Sequence, residues 1–235
     1  MGIAENILRV RGRIAAACAA AGREAADVKL VAVSKTHPAD AIREAMAAGL
    51  SIFGENKVQE GETKIPDVGR NAAEWHLIGH LQSNKARKAV QLFDVIHTVD
   101  SVDLAKRLER ICIEEGRDSL SVLIQVNVAD DGRVGVPAGS ELDSLAEYLA
   151  GCKRVRFCGL MTLPPFFDDA EQTRPYFRRL REAGESLSMR GLFRGERLEL
   201  SMGMTHDLET AIEEGATIIR VGTAIFGERE YGPPA

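Results

Sequence analysis

Short apolar runs rich in β-branched residues alternate with amphipathic helical patterns along most of the chain, and this alternation constrains the fold more than any other feature. Strand-like runs are predicted at residues 30–33, 52–53, 75–78, 95–98, 122–126, 155–160, 198–200 and 218–221. Helical patterns between them cover residues 39–48, 58–64, 84–92, 102–115, 140–150, 173–190 and 208–214. One further helix, over residues 3–21, precedes the first strand and stops at Gly22. Because each parallel return needs a crossover, the pattern predicts a parallel α/β sheet.

Eight strands are also the number that closes a barrel. A (β/α)₈ barrel typically needs roughly 250 residues, so 235 residues suffice for a lean one. We therefore expect a single (β/α)₈ TIM-type barrel with an extra N-terminal helix, and a doubly wound open sheet is the alternative. No repeat or linker marks a boundary, which predicts one domain over residues 1–235 with a loose tail at residues 232–235.

Charge and cysteine usage exclude several classes of partner. The formal net charge is -5, from 30 Lys+Arg against 35 Asp+Glu, which gives no reason to expect nucleic acid or an anionic membrane surface. No apolar run approaches the roughly 20 residues that span a bilayer, and the first residues do not resemble a signal peptide. The cysteines at positions 18, 112, 152 and 158 lack a C-x-x-C pair and are expected to be reduced thiols of a cytoplasmic protein. No long apolar surface stripe demands a dimer, which favours a monomer.

The ends of the strands are where such barrels place their chemistry. Lys35 directly follows the apolar run at residues 30–33. A surface lysine that closes a strand is the ordinary interpretation of such a residue. A lysine half-buried in a pocket, however, has a lowered pKa and is a nucleophilic amine suited to Schiff-base formation.

The last two strand ends carry small residues and hydroxyls suited to a phosphate. Ser201, Gly203 and Thr205 lead into a helix, and Gly222 and Thr223 follow the final strand. Phosphate sites in these barrels are frequently built from the loops after strands seven and eight. Helix capping is the alternative role for Ser201 and Thr205. Since the first and last strands are neighbours in a closed barrel, Lys35 and the phosphate site are expected to be adjacent.

Other chemistries find little support in the sequence. The five histidines, at positions 37, 76, 80, 97 and 206, show no metal-ligand spacing such as H-E-x-x-H. No Walker A loop, G-x-G-x-x-G turn or G-x-S-x-G elbow occurs. The residues alone therefore predict a Schiff-base lysine beside a phosphate site. They leave open an aldolase whose lysine attacks a sugar phosphate without any cofactor.

At this point a family resemblance adds to the residues. The chain resembles the pyridoxal phosphate homeostasis protein family, which shares its barrel with the N-terminal domain of alanine racemase. The matching segments span nearly the whole chain and are VAVSKT at 31–36, FGEN at 53–56, VQE at 58–60, WHLIGHLQSNK at 75–85, QVN at 125–127, GLMT at 159–162, LSMGM at 200–204 and RVGTAIFG at 220–227.

The resemblance implies a cofactor and a role for each candidate residue. Pyridoxal 5′-phosphate would form a Schiff base with Lys35. Ser201, Gly222 and Thr223 would hold its phosphate, with Gly203 shaping the turn, and Arg220 would face the pyridine nitrogen. Asn56 and His80 would line the pocket. The implied function is to carry and buffer the cofactor without established turnover, with apo forms of pyridoxal-phosphate enzymes as candidate recipients.

A racemase-like enzyme is the main alternative, and Arg220 argues against it. An arginine keeps its proton, so it does not make the pyridine nitrogen fully cationic, and the ring is a weaker electron sink. Alanine racemase uses a tyrosine of its second domain as the opposite base. Of Tyr148, Tyr176 and Tyr231, none is expected at a strand end.

The chain departs from the family pattern at three positions. Lys57 stands where relatives often have tyrosine, and Thr205 replaces a usual serine but keeps the hydroxyl. Arg133 stands where relatives usually carry lysine. Because arginine forms no Schiff base, a secondary cofactor adduct at that position is in doubt for this chain.

Overall fold

Eight parallel strands close into a barrel in the computed structural model, which describes residues 2–195 and 197–227. The described residues also form a short strand outside this ring, β6 (Val136–Pro137). In chain order the strands are β1 (Lys29–Val33), β2 (Ile52–Glu55), β3 (Glu74–Leu77), β4 (Val95–Val99), β5 (Leu120–Asn127), β6, β7 (Val155–Met161), β8 (Glu199–Ser201) and β9 (Ile218–Val221). The ring runs β1–β2–β3–β4–β5–β7–β8–β9 and returns to β1, and every pairing is parallel. The predicted (β/α)₈ barrel is confirmed, and the open sheet is excluded.

Helices surround the ring and connect its strands. They are α1 (Ile3–Ala20), α2 (Ala39–Ala47), α3 (Val58–Val68), α4 (Ala86–Leu92), α5 (Val102–Glu114), α6 (Ser140–Gly151), α7 (Arg174–Met189), α8 (Leu208–Glu213) and α9 (Thr223–Phe226). The extra N-terminal helix α1 packs against α2, α8 and α9. Its Asn6 side chain donates a hydrogen bond to the carbonyl of Ile225 at 2.9 Å. No helix in these described ranges is long and apolar enough to cross a membrane.

The apolar strand residues fill two separate layers because successive side chains of a strand point to opposite faces. Inside the barrel lie residues such as Val31, Val95 and Ile218. The outer faces of the strands pack against the helices in a larger core that includes Phe53 and Trp75. Both faces of the sheet are therefore buried, which explains why the strands are near-continuous apolar runs rather than alternating ones.

Two short elements were not predicted, and several strands differ from their predicted bounds by one or two residues at an end. The two-residue strand β6 pairs with β5 outside the ring, and the four-residue helix α9 follows β9; neither was predicted. Strand β2 continues through Gly54 to Glu55, and a Cβ at Gly54 would lie 2.8 Å from a Val31 methyl. The tail at residues 232–235 lies outside the described residues, so a single domain over 1–235 stays a prediction.

Candidate functional site

Lys35 lies at the carboxyl end of the barrel, two residues past the end of β1, and its side chain is half-buried. The segment after β9 lies directly against this strand end, since a Cβ on Gly222 would be 3.2 Å from the Val33 carbonyl oxygen. The His37 ring stacks on Phe226 with centroids 5.0 Å apart. The two predicted parts of the site, the lysine turn and the loop after the last strand, are therefore in contact.

A buried ionic cluster holds the turn that carries Lys35. Lys64, on α3, donates to the Ser34 carbonyl at 2.8 Å and to the two carboxylate oxygens of Glu55 at 3.0 and 3.1 Å. The Ser34 hydroxyl donates to Glu55 at 2.7 Å, and Lys64 also contacts Glu60 at 3.0 Å. We call Ser34, Glu55, Glu60 and Lys64 the Lys64 cluster.

The Lys64 cluster also fixes an unusual backbone conformation next to the lysine. Thr36 has φ of 68°, which L-residues other than glycine, asparagine and aspartate rarely adopt. Its backbone N–H donates to Glu60 at 2.7 Å. Lys35 is thus flanked on both sides by residues bonded to the cluster, so its position depends on α3 as well as on β1.

Burial dominates the electrostatics of the Lys64 cluster. It raises the pKa of Glu55 to about 7, although the Lys64 ammonium acts in the opposite direction. Burial also acts to raise the pKa of Glu60. There the Thr36 N–H and Lys64 outweigh it, and the pKa is lowered.

The loop after β8 is shaped by Gly203, whose φ is +92°. A Cβ at this position would lie 2.5 Å from the Ala211 Cβ, so only glycine fits. The Gly203 carbonyl accepts from the Arg220 backbone N–H at 3.1 Å, and the Met204 N–H donates to Asp207 at 2.7 Å. The loop therefore stays paired to β9 and turns sharply into α8.

Two threonine hydroxyls meet where the loops after β8 and β9 come together. The Oγ1 atoms of Thr205 and Thr223 are 3.4 Å apart. Thr223 is exposed and begins α9, where the first amides of a helix have no intrahelical acceptor. Together with Gly222, these hydroxyls form a small, partly exposed set of donors suited to an anion.

Arg220 lies inside the barrel and is 3% exposed. Its guanidinium donates to the Ser201 hydroxyl at 2.5 Å and to the Thr162 carbonyl at 2.9 Å. Burial lowers the pKa of Arg220 to about 10, and the nearby Asp207 carboxylate partly offsets this effect. The guanidinium therefore remains protonated at neutral pH.

The Ser201 hydroxyl is fully buried and begins a line of hydrogen bonds across the barrel. Ser201 Oγ is 2.9 Å from His97 Nδ1, and His97 Nε2 is 2.8 Å from His76 Nδ1. His76 Nε2 is 2.9 Å from the Glu74 carboxylate. We call Arg220, Ser201, His97, His76 and Glu74 the histidine chain. Its histidines were not predicted as site residues, although a histidine within an apolar strand is the signal that could have found them.

Asn56 and His80 lie beyond β2 and β3 on the same rim. The two strand ends are close, since a Cβ on Gly79 would fall 2.0 Å from the Asn56 carbonyl oxygen. His80 is half-exposed, with Nδ1 3.4 Å from the Asp100 carboxylate. Among the residues that the structure describes, no group of three or more His, Cys, Asp or Glu side chains could hold a metal ion.

This set of groups fits pyridoxal 5′-phosphate. Lys35 supplies an amine, Thr205, Gly222 and Thr223 supply neutral donors for a phosphate, and Arg220 supplies a buried cation. The tight glycine turn at Gly203 leaves no side chain in its way. A parallel barrel with a lysine after its first strand, and with hydroxyl and backbone amide donors after its last two strands, is the arrangement expected of a barrel that binds a phosphate-bearing cofactor.

Comparison with known proteins gives the family. The sequence model of the family "Alanine racemase, N-terminal domain" matches residues 9–230. A pyridoxal phosphate homeostasis protein of Pseudomonas aeruginosa is 45% identical over 233 residues, which cover 99% of this chain and 98% of that protein. The chain belongs to the pyridoxal phosphate homeostasis protein family, as its sequence motifs predicted.

Solved structures agree with this assignment. PipY of Synechococcus elongatus with PLP bound superimposes with a TM-score of 0.82 at 42% identity, covering 96% of this chain and all of that one (100%). Alanine racemase of Corynebacterium glutamicum gives a TM-score of 0.71 at 21% identity, over 99% of this chain and 63% of the racemase. At that identity the racemase shares the fold, and nothing about its activity transfers.

Proposed function

We propose that this protein binds pyridoxal 5′-phosphate covalently at Lys35 and carries and buffers the cofactor for other proteins. The observation that carries the proposal is the contact between the lysine turn and the loop after β9. A Cβ on Gly222 would lie 3.2 Å from the carbonyl oxygen of Val33. The homeostasis proteins that match the full chain, and the PLP-bound PipY structure, support the same ligand.

Each predicted site residue has a role in this proposal. Lys35 would hold the cofactor through a Schiff base between its amine and the aldehyde that the cofactor supplies, with release of water. Gly222 and Thr223 hold the phosphate, with Gly203 shaping the loop. Arg220 faces the pyridine nitrogen. The structure gives the Ser201 hydroxyl two partners inside the barrel, so we propose that it acts on the cofactor mainly through Arg220 and that Thr205 supplies the second phosphate hydroxyl.

Asn56 and His80 line the open side of the pocket in the same proposal. Asn56 follows β2, the neighbour of β1, and His80 follows β3, the next strand of the ring. His80 is half-exposed, which leaves this side accessible for exchange of the cofactor. We further propose that apo forms of pyridoxal-phosphate enzymes receive the cofactor, that the protein works as a monomer, and that it resides in the cytoplasm. Four unpaired, buried cysteines support the last point.

Two arguments favour a carrier over a racemase-like enzyme. The bound cofactor supplies an electron sink for carbanion chemistry, and a guanidinium at its ring nitrogen makes that sink weak. Neither tyrosine within the described residues offers a base at the rim. Tyr148 lies near the end of α6, and Tyr176 in α7 stacks on Phe167 with centroids 5.8 Å apart. Tyr231 lies outside the described residues.

Reduction with borohydride tests the covalent site. We expect mass spectrometry to find a phosphopyridoxyl group on Lys35, and the Lys35→Ala variant to load and deliver less cofactor. Lys57→Ala, which changes an exposed lysine next to the same rim, is the matched control and should load normally. A colourless protein would support the aldolase alternative, and an adduct solely on Lys57 or Lys85 would overturn the assignment.

Solvent deuterium exchange separates the carrier from the enzyme. The loaded protein should give only background exchange into the α-position of L-alanine and other common amino acids, while restoring activity to an unrelated apo-enzyme. Turnover of any amino acid at about 1 s⁻¹ or faster would be an ordinary enzymatic rate and would favour the racemase-like function.

A further inference from the structure

With one proton on each imidazole, the histidine chain has one consistent direction of hydrogen bonding. A guanidinium only donates, so Ser201 Oγ accepts from Arg220 and turns its own proton towards His97 Nδ1. His97 then carries its proton on Nε2 and donates to His76 Nδ1. His76 in turn carries its proton on Nε2 and donates to Glu74, whose ionised carboxylate only accepts. Assignment from either end gives the same result.

The environment of the histidine chain favours a neutral His97. Both imidazoles are completely buried, with 0% exposure. Burial lowers the pKa of His97 well below 6.5, and the positive charge of Arg220 acts in the same direction. Next to Arg220, a second buried cation would be costly. The line of hydrogen bonds is therefore polarised from a cation at one end to a carboxylate at the other.

The Glu74 end of the histidine chain lies at the mouth of the barrel formed by the amino ends of the strands, opposite the Lys35 rim. Glu74 begins β3, its side chain is 41% exposed, and it lines a cavity of about 560 Å³ together with Lys29 and Arg156. Arg220, by contrast, is at the third residue of β9, on the inner face. The chain thus connects the cofactor side of the interior with the mouth that carries no candidate site residue.

We propose that His97 and His76 are positioning residues, which hold Ser201 as an acceptor for Arg220 and thereby aim the guanidinium at the pyridine nitrogen of the bound cofactor. This inference rests on the proposed function. The inference gives a role to two buried imidazoles that packing alone does not require. An apolar pair of side chains would fill the same space without any need for hydrogen bonds. Without the two histidines, the Ser201 hydroxyl could rotate away from Arg220. The guanidinium would then keep only the Thr162 carbonyl among its described hydrogen-bond partners.

The test compares pyridoxal phosphate with its carbocyclic analogue, in which carbon replaces the ring nitrogen. His97→Leu breaks the chain, and we expect it to weaken binding of pyridoxal phosphate about ten-fold, the effect of one hydrogen bond to a charged group. Binding of the nitrogen-free analogue should stay within about two-fold of wild type, well under the worth of one such hydrogen bond. His97→Gln, which can accept from Ser201 and donate to His76, should restore most of the lost affinity.

Two further variants make the result independent of folding. Ile96→Ala removes a buried side chain from the other face of β4 and controls for lost stability; it should affect both ligands equally. Glu74→Gln changes the exposed end of the chain and should weaken pyridoxal phosphate in the same direction as His97→Leu, by a smaller factor. If His97→Leu is poorly folded, Glu74→Gln and His97→Gln carry the test.

A double-variant cycle shows whether the histidine acts through the arginine. If it does, His97→Leu should add little to the loss already caused by Arg220→Lys. Independent, multiplying losses would overturn the inference, as would equal weakening of both ligands by His97→Leu. If wild type loads pyridoxal phosphate on Lys35, and His97→Leu and Glu74→Gln bind it with the same affinity as wild type, the positioning role is overturned and the proposed function stands. If wild type takes up no cofactor, the proposed function fails as well.

Discussion

Replacing Lys64 with methionine should destabilise the protein to an extent that depends on pH. The ammonium makes hydrogen bonds to the Ser34 carbonyl, to Glu55 and to Glu60, all between 2.8 and 3.1 Å. Glu55 is 0% exposed, so its carboxylate would keep only the Ser34 hydroxyl among its partners in the described part of the chain. Removing one partner of a buried ion pair typically costs about 3–5 kcal/mol. We expect a loss of that size at pH 8.

The loss should be smaller at pH 6 because Glu55 can then take up a proton. Its pKa in the folded protein is raised to about 7, so it is mostly ionised at pH 8 and mostly protonated at pH 6. The variant, lacking the ammonium, has a still higher Glu55 pKa and is protonated at both values. Of the two folded proteins, only in wild type does ionisation of Glu55 above pH 7 lower the free energy. At pH 8, one unit above the pKa, this contribution is about 1.4 kcal/mol. The cost of Lys64→Met should therefore fall by about that amount between pH 8 and pH 6.

Urea unfolding at the two pH values measures this difference. In the double variant Glu55→Gln/Lys64→Met no buried carboxyl titrates at position 55, so its stability relative to Glu55→Gln should change little with pH. Lys57→Met makes the same substitution at an exposed position and should cost less than about 0.5 kcal/mol. An equal cost of Lys64→Met at pH 6 and pH 8, or a cost below about 1 kcal/mol at pH 8, would refute the reasoning.

Two further predictions concern the phosphate side of the site. Changing both Thr205 and Thr223 to valine should weaken binding of pyridoxal phosphate by about 1.5–3 kcal/mol per lost hydrogen bond, and binding of unphosphorylated pyridoxal much less; equal weakening in a direct titration would place the phosphate elsewhere. Gly203→Ala should cost more stability than Gly191→Ala in urea unfolding. Both glycines have positive φ, worth about 1–2 kcal/mol each, but only the Cβ at 203 meets a neighbour, 2.5 Å away. Similar costs would contradict the packing argument.

The fold was predictable because its signal repeats. Each strand and helix is a weak prediction, but alternation along the chain leaves few architectures, and the closed ring confirms the one expected. What escaped prediction is short. Strand β6 has two residues and α9 has four, so neither spans enough chain to show a period. Strand β6 pairs with the backbone of β5, and α9 packs against α1, and both contacts are information from the tertiary structure.

The site was predictable where it follows from strand ends. Lys35 and Gly222 were predicted to be adjacent because the first and last strands of a barrel are neighbours. The structure places Gly222 against Val33, two residues before Lys35. The histidine chain could not be found in this way. Its hydrogen bonds join residues up to 104 positions apart and depend on which face of each strand a side chain occupies. A one-residue uncertainty at a strand end reverses that face, so the partners of Ser201 were not accessible from the sequence.

The same register explains how one strand serves two networks. Backbone pairing of β1 with β2 continues to Ser34, whose N–H donates to the Gly54 carbonyl at 3.0 Å. Alternation then turns Ser34 outwards to Lys64 on α3, whereas Val31 faces inwards beside Arg220, its direct neighbour on β9. The outer network fixes the backbone on both sides of Lys35, and the inner one fixes a guanidinium. Because the two networks use opposite faces of the sheet, they do not compete for partners, and the lysine and the arginine can each be held in place before any ligand arrives. A rim prepared in this way needs no refolding to take up or release a cofactor, which is what a carrier requires.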